Sequence, residues 1–199
     1  MKKTYFTRET LLLRLRDSYD EKSWEEFVKY YRSYIYTVVL RTGLSYEDTQ
    51  DVTQDILLKA WKGLPSFEYD SEQCKFRTWL SRVCRNCLRD CAKSKRAKLA
   101  RLKVDDVADV EEFMGYSEAE IEKIAEVEWK NYIAEMAWER VSGEFSETVL
   151  QAFRLHAEEC PVSDIATRLD IPENSVYVYR TRVRKALMKE IMRLDVQLG

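Results

Sequence analysis

If the residues after Pro172 are helical, Asn174, Tyr177, Val178, Thr181, Arg182 and Lys185 share one face, and several of these side chains are suited to reading base pairs. Arg forks onto the edge of guanine, Thr bonds a base edge or touches a thymine methyl, and Lys finds phosphate. The opposite face carries Val176, Val183 and Leu187, with Tyr179 a fourth member, at three- and four-residue steps. Upstream, Ser163 is placed to cap a shorter helix with Ile165, Ala166 and Leu169 on one apolar side. Asp170-Ile171-Pro172 stops that helix, because a residue before proline is pushed out of the helical region. The run from Cys160 to Leu187 thus reads as a helix-turn-helix whose second helix starts at Pro172 or Glu173. An ordinary amphipathic helix with a solvated face is the alternative.

A second candidate surface lies earlier. The sequence predicts a long helix from Phe76 onward, with Phe76, Leu80, Val83, Cys84, Cys87 and Leu88 on one side and Arg77, Arg82, Arg85, Arg89 and Lys93 on the other. It follows a break, GLPSFEYDSEQCKF, that carries Phe67 and Tyr69. Cations beside aromatic rings suit unpaired nucleic acid, since phosphates track the charge and an unstacked base lies against a ring. The same face is also what a solvated charged helix would show.

The elements that must position these residues are helical throughout. Leu11, Leu12 and Leu15, then Trp24, Phe27, Val28, Tyr31, Ile35 and Val38, recur at helical steps, with Ser23 and Glu26 forming a capping box. Gly43 ends that segment. Ser45 opens the next helix, whose Val52, Ile56, Leu57 and Trp61 make the buried stripe. Gln50, Asp51, Gln54, Asp55 and Leu58 are left on another surface, and a polar, acidic face with an exposed Leu fits a protein partner better than DNA. Val104 to about Tyr116 is acidic and without periodicity, a linker. Helix resumes near Ser117, which forms a capping box with Glu120, and continues through Ile121, Ile124, Ala125, Trp129, Ile133 and Met136 to about Val141. After Gly143, Ser146 caps a helix carrying Val149, Leu150, Phe153 and Leu155.

Length and charge agree with this layout. A chain of 199 residues holds two small domains, and only 5 Gly and 3 Pro argue against a turn-rich β fold. The net charge of -2 conceals blocks: Ser81 to Lys103 holds nine basic residues against Asp90 alone, and Val104 to Lys130 ten acidic residues against Lys123 and Lys130. From Ser175 the balance is basic again, as expected if two positive surfaces meet a polyanion. No apolar run is long enough to span a membrane and MKKTYFTRET lacks the apolar core of a secretory signal, so the protein is expected to be cytoplasmic. The five cysteines, four of them Cys74, Cys84, Cys87 and Cys91, are then reduced thiols, and Cys84, Cys87 and Cys91, on one helical face, read as small buried apolar residues. His156 and Cys160 share a helical face, but two ligands do not make a site, so neither metal nor cofactor is expected.

In order along the chain, DVTQDILLKAW, FRTWLSRVCRN, an acidic linker and a helix-turn-helix resemble an extracytoplasmic-function (ECF) sigma factor of RNA polymerase, over about Trp24 to Lys98 and Phe145 to Ile191. The resemblance implies an all-α fold: a region 2-like domain in residues 1–103, an acidic linker in 104–120 and a region 4-like helix-turn-helix domain in 121–199. It implies that Asp51, Gln54, Asp55 and Leu58 dock on the clamp coiled coil of the polymerase beta-prime subunit, with the beta subunit a further partner. Melting and capture at the -10 element would fall to Phe67, Tyr69, Lys75, Arg77, Arg82, Arg85, Asn86 and Arg89, with a flipped base held in the loop from Glu68 to Lys75. Duplex readout at the -35 element would fall to Asn174, Ser175, Tyr177, Val178, Thr181 and Arg182, with Arg180, Arg184 and Lys185 near phosphate. Tyr177 stands where many members carry a basic residue and Arg180 where they carry an aliphatic one, leaving Tyr179 to fill the core. Two domains also leave room for an anti-sigma protein wedged between them.

The competing reading is a two-domain transcriptional regulator that binds duplex DNA without polymerase. A nucleic-acid enzyme is disfavoured, since the chain lacks a His and carboxylate cluster at ligand spacing and a phosphate-binding loop.

Overall fold

The computed structural model describes residues 14–15, 21–67, 76–102 and 116–198, with backbone alone for 98–102. Among them the fold is all-α, with seven helices of more than one turn. Two compact units divide the chain, Met1–Lys130 with Gln197–Gly199, and Asn131–Val196. That division falls inside a helix, later than the 120/121 boundary drawn from sequence. Most of the acidic linker and most of residues 1–23 lie outside the described residues.

In the first unit, α1 (Glu21–Leu40) buries Phe27, Tyr31, Tyr34, Ile35, Val38 and Val39 along one stripe. Its first residue is Glu21, so Ser23 sits buried in the first turn and is not the cap that its sequence context suggested. The helix closes where the amides of Arg41, Thr42 and Gly43 donate to Thr37, Val39 and Leu40. Gly43 takes φ +77°, a left-handed conformation that costs only glycine nothing. Ser45 caps α2 (Tyr46–Gly63), its hydroxyl accepting from the Asp48 amide at 3.2 Å, and Glu47 and Asp48 face the positive end of the dipole. A 3-10 turn follows at Leu64–Ser66, and after the segment outside the described residues comes α3 (Phe76–Leu102).

The three helices pack pairwise around aromatic rings. Phe76 is fully buried and meets Tyr31 at 5.2 Å, Phe27 at 6.0 Å and Phe67 at 5.8 Å between centroids. Edge-on and tilted arrangements of this kind add about 0.5–1.5 kcal/mol per pair beyond the area they bury. A Cβ on Gly63 would stand 3.1 Å from the Trp79 ring, so that ring closes over the end of α2 only because the position lacks a side chain. Lys59 pairs with Asp90 at 2.9 Å and Lys95 with Asp48 at 2.6 Å between α2 and α3, contacts exposed enough to add well under about 1 kcal/mol each.

Helix α4 (Glu118–Ser142) opens with the expected capping box. The Ser117 amide and hydroxyl donate to the Glu120 carboxylate, each at 2.7 Å, and the Glu120 amide donates back to the hydroxyl at 3.3 Å. Residues 118–120, assigned to the linker from sequence, are therefore helical. The first half of α4 buries Ile121, Ala125 and Trp129 in the first unit. Trp129 is 1% exposed and meets Tyr34 at 5.2 Å and Tyr31 at 6.5 Å, while the Tyr34 hydroxyl donates to the Ala125 carbonyl at 3.2 Å.

The second unit contains the rest of α4, α5 (Glu147–Ala157), α6 (Val162–Leu169) and most of α7 (Glu173–Leu198). Ala152, Ile165, Ala166 and Val176 form its buried helix-turn-helix core, and Leu155, Leu169, Ile171 and Tyr179 pack against it. Ser146 stands at the N-cap of α5 but makes no capping hydrogen bond. Pro161 occupies the N-cap of α6, because its fixed φ and missing N–H suit a helix entrance. Ser163 is thereby moved into the first turn, where its carbonyl accepts from the Thr167 hydroxyl at 2.9 Å, and the cap expected there is not made. Both turns of this motif end on left-handed residues other than glycine, Glu159 at φ 62° and Asp170 at φ 51°. Beyond them the amides of Cys160 and Ile171 donate to Leu155 and Ala166, each at 3.0 Å.

Candidate nucleic-acid and partner surfaces

Helix α2 turns Val52, Ile56, Leu57 and Ala60 inward and leaves Asp51, Gln54, Asp55 and Leu58 exposed. Leu58 is 49% exposed among acids and an amide. An exposed apolar side chain ringed by acidic and amide groups suits a protein partner, with the acids favouring a cationic one. Trp61 is half-buried, its ring edge-on to Trp24 at 4.8 Å, and so belongs partly to the core as its spacing predicted.

On α3, Arg82, Asn86 and Arg89 are exposed and Arg77 and Arg85 half-buried. Their opposite face carries Leu80, Cys84, Cys87 and Leu88 against the core. Burial pushes the thiols of Cys84, Cys87 and Cys91 above the ordinary range, so they stay protonated and unreactive, and all three are free. Arg85 reaches Glu122 at 2.5 Å and Glu118 at 3.6 Å, Arg89 lies 3.9 Å from Glu118, and the Arg77 guanidinium stands 5.8 Å over the Trp129 ring. Phe67 is 8% exposed, tucked against Phe76 and Trp79 at 5.8 Å and 5.1 Å, because a ring following a short turn is worth more in the core than in water. Tyr69 and Lys75, with the rest of the loop from Glu68 to Lys75, lie outside the described residues.

On α7, Asn174, Tyr177, Val178, Thr181, Arg182, Arg184 and Lys185 are exposed, and Ser175 and Arg180 half-buried. Tyr179 packs on the helix-turn-helix core while Arg180 lies beside it, its guanidinium 3.5 Å from the His156 ring nitrogen. The Thr181 hydroxyl donates to the Tyr177 carbonyl at 2.8 Å, which leaves its oxygen free to accept and its methyl to touch a base. Arg182 lies 5.9 Å over the Phe145 ring, a contact that holds the guanidinium near the surface of the motif. Among the described residues no group of three or more His, Cys, Asp or Glu is placed to hold a metal ion. No described helix is long and apolar enough to cross a membrane.

Residues 27–98 match the family model for sigma-70 region 2. Those residues form a sigma-70 region 2 domain. They run from the core of α1 through α2 and into the basic half of α3, so both outward surfaces of the first unit fall within the sigma domain. A solved structure, CnrH in complex with the cytosolic domain of CnrY, is 18% identical and covers 92% of this chain and 95% of its own, with a TM-score of 0.38. At that score the likeness supports nothing further. No curated protein matches the chain.

Three features of the sigma domain and its neighbour escape a reading by residue type. Trp79 was not singled out, although it closes the aromatic cluster over Gly63. Glu118, placed in the linker range, and Glu122, to which the sequence reading gave no role, reach the arginines of α3. Their four-residue spacing was the available signal, since it puts both on one face beside Ile121 and Ala125. Met188, Met192 and Val196 form an exposed apolar row at four-residue steps on α7, continuing the surface that Arg184 and Lys185 begin.

Proposed function

We propose that the chain is an RNA polymerase sigma factor of the ECF type, which seats core polymerase on a promoter and opens the DNA there. The observation that carries this reading is the pair of opposed surfaces on the region 2 domain. An acidic face with a central Leu58 lies on α2, and a cationic face lies on α3. Asp51, Gln54, Asp55 and Leu58 are assigned to the clamp coiled coil of beta-prime. Arg77, Arg82, Arg85, Asn86 and Arg89 are assigned to the melted -10 strand. Unstacking costs a few kcal/mol per step and each captured base returns about 1–3, so opening by this route needs no nucleotide hydrolysis.

The helix-turn-helix of the second unit is assigned to the -35 duplex. Tyr177, Val178, Thr181 and Arg182 face the bases, with Arg184 and Lys185 at phosphate. Because Arg180 is half-buried beside His156, its part is to brace the helix at the phosphate edge. A duplex-binding regulator with no polymerase partner has no use for the acidic face of α2 within a region 2 domain. The deciding experiment combines the purified chain with core polymerase and a randomised promoter library. Transcription from a defined pair of -35 and -10 sequences supports the assignment, and a chain that binds duplex but leaves core untouched sinks it.

A further inference from the structure

The cationic face of α3 already has an occupant. In the unbound chain Arg85 is held by Glu122 at 2.5 Å and Glu118 at 3.6 Å, Arg89 lies 3.9 Å from Glu118, and Arg77 sits over Trp129. All three arginines belong to the set assigned to the -10 strand, and Glu118, Glu122 and Trp129 come from the first half of α4, within the same unit. The acids are seated by the core: Ile121, Ala125 and Trp129 are buried on the same half-helix, and Glu128 is buried with Arg41 at 3.0 Å. Between α3 and the start of α4 lies a cleft of about 200 Å³ lined by Arg85, Arg89, Lys93, Arg96, Tyr116 and Glu118. The Arg85 Nε, moreover, is buried with no acceptor, so the carboxylates satisfy the end of that side chain and leave its neck unpaired. An unmet buried donor carries a desolvation cost, which makes this pairing a replaceable one.

We propose that the start of α4 is a built-in competitor for the melted strand. Glu118 and Glu122 occupy Arg85 and Arg89 in the free chain, and strand phosphates must displace them. The proposal rests on the assignment of α3 to the -10 strand. Its consequence is that the free protein binds unpaired DNA poorly, and that the face becomes available once the strand is presented at high local concentration on polymerase. Two carboxylates at four-residue spacing present negative charge about every helical turn, which is how they can stand in for a short stretch of backbone phosphate.

The test uses the full chain with Glu118→Gln and Glu122→Gln together, both positions being largely exposed and the change close to isosteric. The probe is a labelled single-stranded oligonucleotide, titrated by fluorescence anisotropy over a range of salt. The double variant should bind the free oligonucleotide roughly tenfold more tightly. Its plot of log affinity against log salt should steepen by about 1.4, which is two released arginines at about 0.7 each. Adding Arg85→Ala and Arg89→Ala should remove the gain. If the double variant gains nothing while Arg85→Ala and Arg89→Ala still weaken strand capture on polymerase, the competitor is overturned and the strand assignment stands. If neither pair of changes alters strand binding, free or on polymerase, both fall together.

Discussion

Asp170 and Glu159 hold the two turns of the helix-turn-helix in a left-handed backbone that side chains other than glycine tolerate at a cost. Each turn is also closed by an amide reaching five residues back, so the conformation is required by the motif. Glu159→Gly and Asp170→Gly should each therefore stabilise the second unit, by roughly 0.5–1 kcal/mol after the added freedom of the unfolded chain is subtracted, as read from the midpoint of denaturant unfolding. A loss of stability would mean that the side chains, and not the backbone, make these turns. On the assignment proposed above, Arg182, exposed and lying over the Phe145 ring, is the residue whose loss tests base readout. Arg182→Ala should cost about 1–3 kcal/mol at one base pair of the -35 duplex and relax choice there. A loss spread evenly over all sequences would reassign it to phosphate.

At the scale of elements, α2 carries a core stripe on one side and, on the assignment proposed above, a docking face on the other. Asp55→Arg changes only the second, since Asp55 is exposed while Ile56 and Leu57 beside it are buried. Affinity for core polymerase should drop by tenfold or more, about 1.4 kcal/mol, with binding to isolated -35 duplex unchanged. In the second unit α4 and α7 are tied by Glu190, which accepts from Arg193 at 2.5 Å and Arg140 at 3.1 Å. The hydrogen bond from Arg193, followed by that from Arg140, holds the Glu190 carboxyl below the ordinary carboxylate range. A depressed folded-state value contributes stability above the unfolded value and loses it as pH falls through the folded one. Glu190→Gln should thus lower stability near neutrality and flatten its decline in acid, a difference that thermal melts across the acid range would expose. Trp129 is the seat of α4 in the first unit, and Trp129→Ala should cost about 3–5 kcal/mol in that unit's unfolding.

Across the whole molecule, the fold class was legible because apolar residues recur at helical steps in nearly every described segment. The stripes of α1 and α2, the stop at Gly43 and the caps at Ser45 and Ser117 all follow from local rules that tertiary packing did not overrule. The cap at Ser163 was misplaced because Pro161, with no N–H to satisfy, competes for the same position. The burial of Phe67 was not legible, because an aromatic beside cations reads alike whether it faces solvent or the core. The acid-to-arginine pairing joins residues more than thirty positions apart, a distance over which composition blocks show complementarity of charge but no register.

Helix α4 contributes its front half to one compact unit and its back half to the other. Anyone shortening the gene to obtain the first unit alone should therefore look past the acidic stretch before placing a stop codon. A polypeptide ended at residue 103 would lose Trp129 and uncover Tyr31 and Tyr34, inviting aggregation. One ended after Lys130 keeps that indole, and with it the two glutamates whose removal the shorter piece would mimic by accident, but it still loses Leu198, whose carbonyl accepts from the buried Tyr31 hydroxyl at 3.1 Å.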